Sequence, residues 1–322
     1  MKIKMTITAR IDAVTAIPET HLRADPPAPR SVKIELTGIC NYRCSFCALR
    51  TREVQPKGNM DFVLFQRITR EMREAGVEEI GLFYLGESFS APDLLVQSID
   101  WCKQELEFPY VFLTTNGSLA KPNAIFECME AGLDSLKFSV NAADEEQFEA
   151  VMGVKAKLFR DSLDNLQHAR QIRDDIGFKC GIYASSIQYD GEQAAKMHAM
   201  LESEVIPFVD EHYFLPLYGQ MTHWNEDRTA SLGYVPTAGN QGRIGALRDP
   251  LPCWSAFTEG HVTADGILTA CCFDSDGRFA MGDLTEQAFM AAWHGNRFQE
   301  LRGAHLAKDV AGTICQGCLA YA

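Results

Sequence analysis

Eight of the eleven cysteines stand in two groups, and the first is Cys40-Asn-Tyr-Arg-Cys44-Ser-Phe-Cys47, spaced C-x3-C-x2-C just after the apolar stretch Val32 to Leu36. Three thiolates at this spacing can face one point from a loop at a strand end, which suits a cubane iron-sulfur cluster or a zinc ion better than a disulfide. A [4Fe-4S] cluster closed by protein needs four ligands. Three leave one iron open to a ligand from outside the chain, and that makes a reaction centre out of an electron carrier. The plainer readings are a three-cysteine zinc site or thiols buried in a core. The spacing, the aromatic Phe46 before the last cysteine and the preceding strand together favour the cluster.

The second group is Cys253, Cys271, Cys272 and the pair Cys315-x2-Cys318. Four of these five can close a tetrahedral site, so a second cluster and a zinc ribbon both fit. Between them, Val262-Thr-Ala-Asp-Gly-Ile-Leu-Thr reads as a hairpin with its turn at Asp265-Gly266, and Gly282-Asp-Leu precedes a helix-period run from Glu286 to Trp293. Cys272 is left beside a ligand, where it is buried and inert, exchanges roles with Cys271, or is poised as a hydrogen-donating thiol. Cys102, Cys128 and Cys180 fall inside predicted helices or strands and read as core residues.

The elements that must position these groups alternate. Strands are expected near 32–37, 79–85, 110–115, 135–140, 178–184 and 211–217, with helices near 61–75, 92–106, 122–131, 157–175 and 191–203, and Gly76, Gly132 and Gly177 fall where helices should stop. Such alternation predicts an α/β fold with a parallel sheet and right-handed crossovers. An open doubly wound sheet would carry a Gly-rich phosphate loop after the first strand, and a cysteine loop stands there instead. Residues 1–30, with Pro18, Pro26, Pro27 and Pro29, read as an extended arm; 31–219 form the barrel; 220–252, containing His223 and Trp224, form a linker or active-site loop; 253–322 form a small C-terminal domain.

The C-x3-C-x-aromatic-C loop resembles the signature of the radical SAM superfamily. That resemblance implies a partial (β/α)6 barrel in which the open iron binds the amino and carboxylate groups of S-adenosylmethionine, and an electron from the cluster cleaves it to a 5'-deoxyadenosyl radical. Tyr84-Leu85-Gly86-Glu87-Ser88 is similar to the family's Gly-Gly-Glu-Pro motif, departing from it at Leu85 and Ser88, and places Gly86 and Glu87 at the cofactor's amino group. Thr114-Thr115-Asn116-Gly117 after the third strand offers Thr115 and Asn116 to ribose oxygens, where ordinary turn chemistry is the plain alternative. Ser139 and Asn141 resemble the family's ribose or carboxylate contacts, and Phe46 completes the cofactor set. The C-x12-G-x4-C hairpin, the Gly-Asp-Leu and the terminal C-x2-C resemble the SPASM extension and its shorter form, Twitch. Since no further cysteines follow Cys318, Twitch is the expectation. It implies an auxiliary [4Fe-4S] cluster on Cys253, Cys271, Cys315 and Cys318, so that two [4Fe-4S] clusters and S-adenosylmethionine are the expected cofactors.

With 30 basic and 43 acidic residues the formal charge is −13, and no basic stripe suits nucleic acid. No apolar run reaches the length of a membrane span and no secretory signal opens the chain, so a cytoplasmic protein is expected, with reduced thiols acting as ligands. The resemblance implies a single-electron donor such as flavodoxin or ferredoxin. A small polar substrate, sugar- or aminocyclitol-like, is preferred over a peptide because the first 30 residues are too few for a peptide-recognition domain. The leading expectation is a dehydrogenase that passes an electron to the auxiliary cluster, as in the Twitch-type aminocyclitol dehydrogenases the extension resembles. The alternatives are a radical epimerase using Cys272 as hydrogen donor, a peptide maturase, and a non-catalytic metal-binding scaffold.

Overall fold

The computed structural model describes residues 5–47, 58–216, 243–272, 279–316 and 318. Most of the expected loop at 220–252, with His223 and Trp224, lies outside the described residues. In chain order the elements are α1 (Ile7–Thr15), β1 (Ser31–Ile34), α2 (Phe62–Ala75), β2 (Glu79–Gly81), α3 (Pro92–Asp100), β3 (Tyr110–Thr115), α4 (Pro122–Glu130), β4 (Ser135–Ser139), α5 (Glu145–Met152), α6 (Lys157–Ile176), β5 (Gly181–Ile187), α7 (Gly191–Glu204) and β6 (Glu211–Leu215). The C-terminal part adds α8 (Ser255–Thr258), β7 (Glu259–Val262), β8 (Ile267–Thr269), β9 (Ala280–Asp283), α9 (Phe289–Trp293) and α10 (Asn296–Leu306). Helix α2 shows why these segments fold locally. Asp61 caps its first turn by accepting from Leu64 N, Phe65, Ile68, Thr69 and Met72 form one buried stripe, and Gly76 ends it at φ 99°.

Strands β1 to β6 are parallel and neighbour one another in chain order, as βαβ crossovers require. The sheet does not stop at β1. Strand β7 pairs parallel to β1, and β8 and β9 follow antiparallel, so the C-terminal part extends the barrel sheet by three strands. The β7–β8 hairpin turns at Asp265-Gly266 as the Asp-Gly pair predicts, with Gly266 at φ 88°.

Along each strand the side chains alternate between two environments. On β3, Val111 is fully buried away from the interior, whereas Tyr110, Phe112 and Thr114 line it. The same alternation turns Lys33 of β1, Lys137 of β4 and Glu259 of β7 inward, and six strands contribute to one interior cavity, which shows the sheet curled into an open barrel.

The N-terminal segment differs from the extended arm expected of it. Thr6 accepts from Ala9 N and starts α1, and the prolines lie beyond that helix, so they cannot break it. Ile7 packs with Tyr183 and Tyr213, so α1 closes the N-terminal end of the barrel. Helix α5 is also additional to the expected elements; it is only eight residues long, held by an Asp144 cap at one end and by Gly153 at φ 65° at the other.

Candidate active site and auxiliary metal centre

The first cysteine loop is fastened at both ends. Glu35, 1% exposed at the end of β1, accepts from Gly86 N at 3.0 Å and from Ala264 N at 3.1 Å, and Glu87 N donates to Ile39 O at 2.9 Å. A Cβ at position 86 would fall 1.9 Å from Thr37 O, so the approach of the two loops demands glycine there. The far half of the loop leans on α5: Arg43 N and Ser45 N donate to Met152 O and Val151 O, and Tyr42 meets Phe148 edge to face at 5.4 Å. Cys40, Cys44 and Cys47 are half-buried. Burial pushes the Cys40 thiol up to about 12, so a thiolate there needs a metal's positive charge beside it.

Glu87 does not project into open space. It is 3% exposed, and its carboxylate accepts from Thr115 Oγ1 and Asn116 N, both at 2.8 Å, and from Phe89 N at 3.1 Å. Burial raises its pKa and those three bonds oppose the rise. Asn116 Nδ2 donates to Asn41 Oδ1, Asn41 Nδ2 to Ser118 Oγ, and Ser118 Oγ back to Asn116 Oδ1, a closed triangle of bonds that fixes the residue next to Cys40. Gly86, Glu87, Thr115 and Asn116 are thus brought together around the cysteine loop, largely spent on one another. Ser139 shares the inward face of Lys137, whereas Asn141 pins the next strand end by accepting from Ile187 N through Oδ1 and from the Tyr189 hydroxyl through its carbonyl. None of these residues, nor Phe46, lines the central cavity.

That cavity, about 960 Å³ out to its open mouth, has α1 as its floor. Arg10 of α1 reaches Glu79 at 3.1 Å and stacks over Tyr110 at 3.6 Å. On the walls, Lys33 Nζ lies 2.8 Å from Glu259 Oε1, His261 Nε2 lies 3.0 Å from Glu259 Oε2 without the alignment of a hydrogen bond, and Lys137 Nζ donates to Tyr213 Oη at 3.1 Å. Burial alone would raise the Glu259 pKa; Lys33 and His261 outweigh it and hold it at about 2. Burial disfavours charge on Lys33 and His261, yet the facing carboxylate leaves both raised. Sequence reasoning missed Lys33, Lys137 and Glu259. The signal for the two lysines is a charge set between apolar neighbours at the inward position of a strand, as in Val32-Lys33-Ile34 and Leu136-Lys137-Phe138, whereas Glu259, between Thr258 and Gly260, carries no such mark.

A second cavity, about 350 Å³, is lined by Cys253, Cys271, Cys315 and Cys318 together. The four thiols face this one space. A cubane offering one iron to each sulfur fits that arrangement better than one zinc at about 2.3 Å from every ligand. Cys272 lines the central cavity, whereas Cys271 lines the auxiliary one. Tyr84 Oη donates to Cys271 O at 2.9 Å and steadies that wall. Cys253 N donates to His305 Nδ1 at 3.1 Å, and His305, held at about 4 by burial, is neutral.

Comparison with known proteins gives the same two parts. The family model described as the radical SAM superfamily matches residues 34–183, and the SPASM model, described as an iron-sulfur cluster-binding domain, matches 253–319. An S-adenosylmethionine-dependent nucleotide dehydratase of Danio rerio is 31% identical over 166 residues, covering 50% of this chain and 44% of that protein. A probable GTP 3',8-cyclase of Thermoplasma volcanium is 29% identical over 129 residues, covering 39% and 37%. The chain therefore matches less than half the length of these curated relatives. Among solved structures, BtrN in complex with AdoMet and 2-DOIA is 16% identical with a TM-score of 0.52, covering 86% of each chain. Streptococcus suis SuiB bound to the precursor peptide SuiA is 15% identical with a TM-score of 0.64, covering 100% of this chain and 77% of that one. At such identities these likenesses speak for the fold.

Proposed function

Since this chain belongs to the radical SAM superfamily and carries a SPASM iron-sulfur cluster-binding domain, we propose that it oxidises a small polar substrate held in the central cavity and delivers the electron to the auxiliary cluster. The carrying observation is the adjacency of Cys271 and Cys272, one facing the auxiliary cavity and the other the substrate cavity, so the two share a wall. When bound at Cys40, Cys44 and Cys47, a [4Fe-4S] cluster with S-adenosylmethionine supplies the radical that takes a hydrogen atom from substrate carbon.

The chain's own residues do the rest. Helix α1 closes the barrel floor against water. Lys33 keeps Glu259 ionised on the cavity wall, where the carboxylate can accept a hydrogen bond from a substrate hydroxyl; the proton released when the hydroxyl-bearing substrate radical gives up its electron and becomes a carbonyl leaves to water through the cavity's open mouth. Lys137 has no carboxylate partner among the described residues, and Trp254 Nε1 and Ser31 Oγ at the cavity have no hydrogen-bond partner there, so donors outnumber acceptors and favour an acceptor-rich substrate. The electron that starts each turnover comes from a protein such as flavodoxin or ferredoxin.

A second reading rests on Cys272, whose place on the cavity wall suits a thiol that returns hydrogen to the opposite face of a substrate radical, giving epimerisation. SuiB, bound to its precursor peptide, keeps a peptide among the substrates to be tested. The mass balance separates the two reactions. A screen of deuterated metabolites that follows label into 5'-deoxyadenosine finds the substrate. From the unlabelled substrate the product is expected two mass units lighter, formed equally by Cys272→Ala. An isobaric product that gains solvent deuterium, and is lost in Cys272→Ala while 5'-deoxyadenosine still forms, overturns the dehydrogenase in favour of the epimerase.

A further inference from the structure

The auxiliary cavity is walled mainly by sulfur and carbon. Besides its four cysteines, Ala256, Phe279 and Leu301 face it, and the Ser255 hydroxyl donates away to Ala270 O at 3.1 Å. Such a shell stabilises added negative charge poorly, so a cluster in it resists reduction unless a donor reaches a ligand sulfur. Among the described lining residues one side-chain N–H does so. His305 on α10 is 1% exposed, and a backbone N–H can only donate, so the bond from Cys253 N at 3.1 Å makes Nδ1 the bare nitrogen and puts the ring proton on Nε2. Nε2 lies 3.4 Å from Cys315 Sγ, so its N–H donates to the sulfur. The ring is held edge to face by Phe257, with centroids 6.4 Å apart.

We infer that His305 is a positioning residue that sets the reduction potential of the auxiliary cluster. Its Nε2–H draws negative charge from the Cys315 thiolate and so favours the form that holds one more electron, [4Fe-4S]+ over [4Fe-4S]2+, with no proton taken up. The same imidazole ties the backbone of one ligand, Cys253, to the sulfur of another. The electron comes from the substrate radical in the oxidative reading and from the external donor otherwise, so the inference holds for either reaction.

The test is an anaerobic redox titration of the reconstituted full-length protein, following the electron paramagnetic resonance of the cluster whose signal is unchanged by S-adenosylmethionine. His305→Leu removes the donor, and reduction should become about tenfold less favourable, the scale of one charge-assisted bond, which for one electron is about 59 mV. His305→Gln can accept from Cys253 N–H through Oε1 and donate to sulfur through Nε2, and should recover most of the loss. A Leu variant with full iron content and the wild-type midpoint overturns the inference. Should that variant lose the auxiliary cluster, wild-type protein labelled with 15N-histidine decides. Weak nitrogen coupling to the reduced auxiliary cluster supports the N–H···S bond, and its absence overturns it.

Discussion

Removing the Glu87 carboxylate would strand three donors at once, Thr115 Oγ1, Asn116 N and Phe89 N, inside a region closed to water. Each unmade buried bond costs about 1–3 kcal/mol, so Glu87→Ala is expected to lower stability by about 3 kcal/mol or more and to loosen iron at the first cysteine loop. Anaerobic denaturation and iron counts check this; a variant of unchanged stability that has lost only affinity for S-adenosylmethionine would make Glu87 a direct ligand. His261 gives a pH signature. Its folded pKa is raised above the ordinary value near 6.5, so its contribution is complete below that value and is lost as pH rises through the raised one. The denaturation midpoint of wild type should fall as pH rises above about 6.5, and His261→Asn should flatten that slope. Equal slopes would show that His261 carries no charge beside Glu259.

At the scale of elements, α1 contributes through Arg10, which neutralises the buried Glu79 and stacks on Tyr110. Arg30 stands 3.5 Å from the same carboxylate and retains part of the pairing. Arg10→Ala is therefore expected to cost about 3 kcal/mol, the lower end for breaking a buried pair, and to let water into the barrel floor, which chemical denaturation and substrate-free loss of 5'-deoxyadenosyl radical to solvent would register. A neutral result would mean that α1 is only laid against the barrel. Helix α5 has a similar standing. It is short and weakly marked in sequence, yet Arg43 N and Ser45 N end on its last carbonyls, so the cysteine loop takes its shape from an element that periodicity alone does not announce.

For the whole molecule, the question is whether two metal centres on one continuous sheet behave as two. Reconstituted protein is expected to hold about eight iron atoms per chain, two cubanes. The Cys40, Cys44 and Cys47 triple alanine variant should keep about four and lose all cleavage of S-adenosylmethionine, because the auxiliary cysteines are held by α8 to α10 and the hairpin, apart from that loop. Loss of both clusters would mean that Glu35, which joins the first loop to the hairpin through Gly86 and Ala264, makes the two sites one folding unit. No described helix is long and apolar enough to cross a membrane.

The amino-acid sequence by itself determined what is local. Cysteine spacing within a loop, the alternation of strand and helix periods, the Asp265-Gly266 turn and the glycines after α2 and α6 each depend on residues a few positions apart, and the structure keeps them. Tertiary structure decided what depends on which strands become neighbours. β7 lies against β1 across most of the chain, and only that pairing sets Glu259 beside Lys33 and turns two isolated strand charges into one buried ion pair. The alternation of faces then sends Lys137 inward, and the turn that follows β8 sets Cys271 on the auxiliary cavity and Cys272 on the central one. His305 belongs to the same class: its spacing to Cys315 carries no motif, and its role exists only where α10 brings the ring between Cys253 and that sulfur.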